Sequence, residues 1–145
     1  MTARHPEPHI DRVITLFEQL APGDLARWDH YYTEGARFKD PFNEVVGVEP
    51  IRRIFAHMFD SLGEPRFSVR EAIGSGPDCV LTWDFDFSLR GRPMRIHGAS
   101  HLRFAPDGRI DLHRDYWDAA EELYEKLPLL GGLMRWLKRR LGSGS

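Results

Sequence analysis

Apolar residues recur at helical spacing in two segments before residue 64. The first segment contains Ile10, Val13, Ile14, Phe17 and Leu20 and ends before Pro22-Gly23. The second contains Ile51, Ile54, Phe55, Met58, Phe59 and Leu62 and is closed by Gly63. Spacings of three and four residues place such side chains on one face of a helix. Both segments, the second beginning near Glu49, are therefore predicted to be amphipathic helices.

The chain between these two helices carries turn signals. Asp24 can cap a second, shorter helix, which Gly35 ends and whose apolar residues are Leu25, Trp28, Tyr31 and Tyr32. Residues 36–39 are then predicted to be extended. They end at Asp40-Pro41, where the proline disfavours helical geometry at the aspartate. Three helices are thus predicted ahead of most of the strands.

From residue 81 the hydrophobic period changes to two. Apolar and polar residues alternate, the apolar positions being Leu81, Trp83, Phe85, Phe87 and Leu89. This pattern predicts a half-buried strand, which a turn at 90–93 joins to a hairpin partner at 94–104. A last strand over 109–117 would point His113, Asp115 and Trp117 to one face.

The order of elements predicts an α+β domain with helices packed on one face of a curved antiparallel sheet. A length of 145 residues and a hydrophobic fraction of 41% suit one domain over residues 1–141, which includes a C-terminal helical arm at 118–141. The final Gly-Ser-Gly-Ser at 142–145 is predicted to be a flexible tail.

Charge and cysteine content narrow the function classes. A formal net charge of −2 argues against a nucleic-acid binder, which normally carries a basic face. The single Cys79 has no partner for an intrachain disulfide or a metal site, which suits a reducing compartment. No signal-peptide pattern or membrane-spanning run is found in the sequence, so a cytoplasmic protein is expected.

Several short motifs occur in an order that resembles the nuclear-transport-factor-2-like (NTF2-like) superfamily, and within it the bacterial SnoaL-like and ketosteroid-isomerase-like proteins. The resemblance covers about residues 13–117. Its motifs are Gly23-Asp24, Tyr32 with Phe38-Lys39-Asp40-Pro41, Gly47, Leu102-Arg103-Phe104, Gly108-Arg109-Ile110 and Tyr116-Trp117. It implies a cone-shaped sheet wrapped around the N-terminal helices, with a largely apolar pocket between them. It also implies a homodimer that pairs through the outer surface of the sheet.

The resemblance also assigns side chains to the two faces of the sheet. It places Trp83, Phe85, Ser100, Leu102, His113, Asp115 and Trp117 on the concave side, and His97 and His101 on the outer side. The side chains expected to bind the ligand are Phe17, Tyr32, Phe55, Trp83, Phe85, Ser100 and Trp117. The alternative for the aromatic ones is ordinary core packing.

Asp40 aligns with the general-base aspartate that ketosteroid isomerases carry in a similar Asp-Pro step. Burial in an apolar pocket would raise the pKa of such a carboxyl towards neutrality, and ketosteroid isomerase is itself a standard example of such tuning. The alternative is that Asp40 only orders the turn before Pro41. The isomerase's oxyanion donors fall here at Leu16 or Phe17 and at Ser100, which argues against authentic steroid isomerisation.

His113 and Asp115 form a second candidate constellation. Two residues apart on an inward strand face, they allow the carboxylate to fix the imidazole tautomer. SnoaL-like cyclases and scytalone-dehydratase-like relatives use comparable groups for proton transfer without a cofactor. The alternative is a structural ion pair between Asp115 and a neighbouring arginine. Asp40, His113 and Asp115 are thus the candidate catalytic residues.

Metal binding is not predicted. On a strand, His97 and His101 share a face but lie about 13 Å apart at roughly 3.3 Å per residue, which is too far for one ion. No cysteine or helical histidine motif completes a site.

The C-terminal arm reverses its charge along its length. Residues 118–125 are acidic, whereas 126–141 are basic and carry Leu129, Leu130, Leu133, Met134, Trp136, Leu137 and Leu141. An amphipathic basic helix of this kind can make weak contact with a membrane surface. The alternatives are that it closes the pocket mouth or packs against a dimer mate.

The leading interpretation is a protein that binds a hydrophobic small molecule, such as a polyketide, a steroid-like ring or an acyl compound. If it is an enzyme, the expected reaction is isomerisation, cyclisation or dehydration by proton transfer without a cofactor. The alternatives are a non-catalytic lipid or metabolite carrier and a peripheral membrane adaptor that uses the terminal helix.

Overall fold

The computed structural model describes residues 4–118 and contains two helices, one 3₁₀ helix and six strands in that part of the chain. In chain order these are α1 (Pro8–Glu18), the 3₁₀ helix (Pro22–His30), β1 (Tyr32–Lys39), β2 (Glu44–Val46), α2 (Val48–Ser61), β3 (Gly63–Ser75), β4 (Asp78–Leu89), β5 (Arg92–Phe104) and β6 (Ile110–Tyr116). The predicted α+β class is confirmed. The C-terminal arm and the tail lie outside the described residues.

The six strands form one sheet in the order β2-β1-β6-β5-β4-β3. Four of the five neighbouring pairs are antiparallel, but β1 and β6 run parallel. The expectation of an antiparallel sheet is therefore corrected at this pair. Consecutive strands joined by tight turns must run antiparallel, whereas β1 and β6 are separated by most of the chain and carry no such constraint.

The helices bury their apolar faces against the concave side of the sheet. The buried residues of α1 are Ile10, Val13, Ile14, Leu16 and Phe17, and those of α2 are Ile51, Ile54, Phe55 and Met58. The helical spacing in the sequence thus identified both faces. Strand β4 buries its predicted alternating set, from Leu81 to Leu89, on the same core.

The segment after α1 differs from its prediction. The helix there is a 3₁₀ helix that ends at His30, and Tyr32 is the first residue of β1, where it pairs with Ile110. Gly35 lies inside β1 and does not end the helix. Pairing with β6 decides the conformation of this stretch, because the extended backbone gains partners on a neighbouring strand.

The β4–β5 turn depends on a glycine. Arg90 and Gly91 connect the strands, and both have positive φ values, 53° and 78°. Two left-handed residues suit a tight hairpin, because the twist of such a turn matches that of the flanking strands. Glycine tolerates this conformation without a Cβ clash.

The outer face of the sheet carries several charged and polar side chains. His97 lies 2.9 Å from Asp84, which also accepts from Arg70, and His101 lies 2.8 Å from Asp78. Both histidines therefore face away from the concave side, each beside a carboxylate. Among residues 4–118, neither helix has the length and apolar character needed to cross a bilayer.

Candidate functional site

A cavity lies between α2, the start of the β1–β2 loop and the concave side of the sheet. It encloses about 680 Å³ when its open mouth is included. The lining residues are Phe38, Asp40, Phe42, Ile54, Phe55, Met58, Leu62, Phe67, Trp83, Phe85, Phe87, Ile96, Asp115 and Trp117. Within the described range 4–118, the charged side chains of this lining are the two carboxylic acids Asp40 and Asp115.

Aromatic rings build most of the cavity wall and hold one another in place. Phe67 stacks on Phe85 with ring centroids 4.4 Å apart, and Phe67 also meets Trp83 edge to face at 5.6 Å. At the mouth, Phe42 and Trp117 meet edge to face at 5.4 Å. Such offset and edge-to-face contacts are the favoured arrangements of aromatic pairs. They leave a wall of ring faces and edges around the two acids.

A smaller recess of about 320 Å³ continues towards the helices. It shares Phe55, Phe67, Trp83 and Asp115 with the main cavity. Its other lining residues are Phe17, Val69, Leu81, Ser100 and His113. Asp115 therefore lies where the two spaces meet.

His113 is held inside the fold by aromatic neighbours and two hydrogen bonds. It is only 3% exposed, and Phe38 and Phe17 meet its ring at centroid distances of 4.8 and 5.6 Å. Its Nε2 lies 2.7 Å from Oδ1 of Asp115. Its Nδ1 lies 2.7 Å from the hydroxyl of Tyr32.

Asp115 and the imidazole tautomer set the direction of these hydrogen bonds. Oδ1 of Asp115 is a carboxylate acceptor, so Nε2 of His113 is the donor in the bond between them. In the tautomer that carries its proton on Nε2, Nδ1 is an acceptor, and the hydroxyl of Tyr32 donates to it. Tyr32 is fully buried, and burial followed by the nearby charge of Asp115 raises the pKa of its phenol well above the ordinary value, so the hydroxyl keeps its proton.

Asp115 receives a second donor from the central strands. Ser100 donates its hydroxyl proton to Oδ1 of Asp115, and the indole N–H of Trp83 donates to the Ser100 oxygen over 2.8 Å. Among residues 4–118, both side-chain contacts of Asp115 end on Oδ1. The other carboxylate oxygen, Oδ2, is therefore available to a ligand. The partners of Asp115 are His113 and Ser100, and not the arginine that was the alternative from the sequence.

Asp40 belongs to a tight turn at the mouth of the cavity. Its Oδ1 accepts from the backbone N–H groups of Phe42 at 2.8 Å and Asn43 at 2.6 Å, and the Asn43 amide donates to both oxygens. Burial, and then repulsion from Asp115, nevertheless raise the pKa of Asp40 from 3.8 to about 6. The hydrogen bonds oppose this rise but do not cancel it.

The expected ligand-binding residues lie in three places. Phe55, Trp83 and Phe85 line the main cavity, as does Trp117, while Phe17 and Ser100 line the recess. Tyr32 is the exception, because it lies behind His113 with no exposed surface and supports the site from the core. Its role is therefore corrected from the pocket wall to the layer behind it.

Several residues that shape the site were missed by sequence reasoning. Phe42 and Asn43 shape the turn at Asp40, and Phe67 forms part of the wall from β3. The Asp40-Pro41 turn signal in the sequence could have identified Phe42 and Asn43, which follow it directly. The sequence around Phe67 contains no comparable signal. No three histidine, cysteine or acidic side chains come together as a metal site within 4–118.

Comparisons with solved structures show the same fold. A hypothetical protein with a ketosteroid isomerase-like fold from Catenulispora acidiphila, in complex with trimethylamine, has a TM-score of 0.71 at 16% identity, covering 86% of this chain and 96% of that one. A candidate SnoaL-like polyketide cyclase from Jannaschia sp. CCS1 has a TM-score of 0.69 at 17% identity, with 81% and 93% covered. An M. tuberculosis LEH-like epoxide hydrolase also has a TM-score of 0.69, at 18% identity, with 89% and 94% covered.

Sequence comparison gives the family. No curated protein matches the chain in sequence. A family profile described as the SnoaL-like domain, however, matches residues 13–113, which is more than half of the chain and includes Tyr32, Asp40, Trp83, Ser100 and His113. The NTF2-like fold of the solved structures agrees with this sequence match. The chain therefore belongs to the SnoaL-like domain family.

Proposed function

We propose that this protein binds a hydrophobic small molecule in the aromatic cavity and catalyses proton transfer on it without a cofactor. The observation that carries the proposal is the placement of two carboxyl groups with different surroundings on one apolar cavity. Apolar walls exclude water and position a ring or chain, while the two acids supply a place to take a proton and a place to return it.

Asp115 is the proposed general base. Its Oδ1 accepts from Ser100 and from His113, and these two donors fix the orientation of the side chain. Oδ2 then faces the ligand as the proton acceptor. His113 and Tyr32 are positioning residues, since they touch Asp115 or each other from the core side.

Asp40 is the proposed general acid. With a pKa of about 6, this carboxyl carries a proton in about a tenth of the molecules at pH 7 and in about half of them at pH 6. In an isomerisation, Asp115 removes a proton from one carbon and Asp40 donates one to another atom of the same molecule. Because the two carboxylates repel each other, the state in which one of them is protonated and the other ionised is favoured. A base and an acid are then present together, as the transfer requires.

The known proteins with this fold are consistent with small-molecule chemistry. The names of the neighbours include a candidate polyketide cyclase, an epoxide hydrolase and a complex with trimethylamine. In isomerisation and cyclisation the base removes a proton and the acid returns one to the same molecule, whereas in dehydration the acid protonates the hydroxyl group that leaves as water. All three need one base and one acid, so we assign this reaction class and leave the substrate to a screen.

The base can be tested with 5-nitrobenzisoxazole, a neutral, planar probe that opens when a base removes its carbon-bound proton. The N–O bond breaks in the same step and releases a coloured cyanophenolate, so no acid is needed. Asp115→Asn should lower the rate at least about 100-fold, within the range typical of general bases. Asp40→Asn should retain most of the rate.

Asp111→Asn is the matched control, because it removes a carboxylate from the exposed part of the same strand. The asparagine at 115 can still accept from Ser100 and His113, so folding should be retained, which circular dichroism would check. Equal rates in Asp115→Asn and Asp111→Asn would contradict the proposal. Loss of activity in Asp40→Asn alone would reverse the assigned roles.

A further inference from the structure

The charged lining of the main cavity is entirely acidic. Asp40 and Asp115 supply it, and no lysine, arginine or histidine lines this space among residues 4–118. The nearest polar neighbours do not change this balance. Ser100 and the indole N–H of Trp83 are already engaged in the chain of hydrogen bonds that ends on Asp115.

The rest of the cavity wall favours positive charge for a separate reason. Aromatic rings have an electron-rich face that attracts cations, with tryptophan the strongest. Eight rings line this cavity, namely Phe38, Phe42, Phe55, Phe67, Trp83, Phe85, Phe87 and Trp117. From the lining that residues 4–118 supply, an anionic ligand would meet two acids and these ring faces but no positively charged side chain.

We infer that the cavity selects a cationic ligand, an amine or quaternary ammonium compound that carries an aromatic or branched apolar group. The ammonium group would lie beside Oδ2 of Asp115 and near Asp40, with its methyl or methylene groups against the rings of Trp83 and Trp117. The inference rests on the proposed use of this cavity as the ligand site, but not on proton transfer there.

The charged groups around the two acids have defined places. Asp40 faces Asp115 of β6, and an outer groove shared by both acids is also lined by Lys39, Arg114 and Asp118. Lys39 is paired with Glu44 at 3.3 Å, and Arg114 lies over the ring of Tyr116 at 4.7 Å. Within residues 4–118, His113 has Asp115 and Tyr32 as its side-chain hydrogen-bond partners. Lys39 and Arg114 therefore line the outer groove and not the aromatic cavity.

Two probes of equal shape separate charge from hydrophobicity. Benzyltrimethylammonium carries a fixed positive charge, and neopentylbenzene replaces its nitrogen with carbon. Titrations of the full chain would be followed by NMR of the indole N–H signals at pH 7.5. The cation should bind about tenfold more tightly than the neutral probe, as expected for cation–π contact together with a partly desolvated carboxylate.

Variants and pH locate the charge that is responsible. Asp115→Asn should weaken binding of the cation about tenfold and leave binding of the neutral probe unchanged, while Asp111→Asn should change neither. The quaternary nitrogen keeps its charge at every pH, so any pH dependence of binding comes from the protein. The affinity of the protein for benzyltrimethylammonium should fall between pH 7.5 and pH 5, because Asp40 gains a proton and loses its negative charge. The Asp40→Asn variant should lose this part of the pH dependence.

Equal or tighter binding of neopentylbenzene would overturn the inference and leave the cavity as the ligand site. Binding of neither probe would overturn it as well, while the benzisoxazole assay decides the proton-transfer proposal separately. Cation binding that is unchanged in both Asp40→Asn and Asp115→Asn would show that the ammonium group lies elsewhere and would also overturn the inference.

Discussion

Asp40 and Asp115 are the same residue type, but their surroundings differ. Asp40 is held by a local turn, through Phe42 and Asn43, two and three residues further along the chain. Asp115 is held by Ser100 of a neighbouring strand and by His113 of its own. Local contacts fix the first acid, whereas the sheet fixes the second, so the two carboxyl groups can perform different steps of one reaction.

The raised pKa of Asp40 predicts a pH-dependent cost to stability. The folded chain keeps this proton up to about pH 6, whereas the unfolded chain releases it near the ordinary value of 3.8. Between these values the folded state binds more protons, so raising the pH destabilises it, by about 3 kcal/mol in all. The stabilisation that the bound proton gives the folded state is fully present below pH 3.8 and is lost as the pH rises through 6.

Urea unfolding at pH 4 and pH 7.5 would measure this effect. Relative to Asp40→Asn, which cannot titrate, the wild-type chain should lose stability between the two pH values. Asp111→Asn should follow the wild-type chain. The same pH dependence in wild type and Asp40→Asn would show that burial does not raise this pKa.

Only part of the site could be predicted from single residues. The two-residue period of the last strand was enough to place His113 and Asp115 on one face. The partner of His113 could not be found in this way, because Tyr32 lies 81 residues away and was assigned to a helix. Contacts between distant strands depend on sheet order, which local spacing does not encode.

At the scale of the elements, strands β4 and β5 position the hydrogen bonds behind Asp115. Gly98 of β5 pairs with Trp83 of β4 and leaves room for the indole ring across the sheet. A Cβ at this position would lie 2.6 Å from the Trp83 ring and 2.9 Å from the carbonyl oxygen of Tyr116. The small residue therefore allows the indole to reach Ser100.

Gly98→Ala should destabilise the fold by about 1–3 kcal/mol and shift the indole signal of Trp83, because the ring must move away from Ser100. Chemical denaturation and NMR would measure the two effects. Gly35→Ala in β1 is the control, since a Cβ there meets nothing within 4 Å. An unperturbed Trp83 signal in Gly98→Ala would contradict this role for the glycine.

Elements with a strong period were predicted well, and elements with a weak one were not. Helices α1 and α2 and strand β4 each bury one clear face, so their sequences carry the signal. Strand β3 spans 13 residues but buries only Val69 among them, which leaves no clear alternation to detect. Its partner β4 supplies the pairing that makes it a strand.

At the scale of the whole molecule, the sheet separates a ligand-facing side from an outer side. The outer side carries ion pairs such as Asp86 with Arg95 at 2.7 Å, but also an exposed apolar pair. Ile73 and Val80 face each other across β3 and β4 and are 61% and 38% exposed. Exposed apolar neighbours on a sheet surface suit contact with a second copy.

We expect a homodimer that includes this pair in its interface. Light scattering coupled to size exclusion should give the mass of two chains for the wild type and of one chain for Val80→Glu, because a buried unpaired carboxylate is costly. Val46→Glu, at the other edge of the sheet, is the control and should remain a dimer. A wild-type mass of one chain would contradict the expectation.

The most direct test of the central claim, a coupled pair of acids in one apolar cavity, is a carbon NMR titration of the Asp40 carboxyl in the wild-type chain and in Asp115→Asn. The account predicts a midpoint near pH 6 in the wild type. It predicts a lower midpoint in the variant, still above 3.8, because burial is the larger cause and repulsion from Asp115 the second. A wild-type midpoint near 3.8, or one that Asp115→Asn leaves unchanged, would contradict the claim.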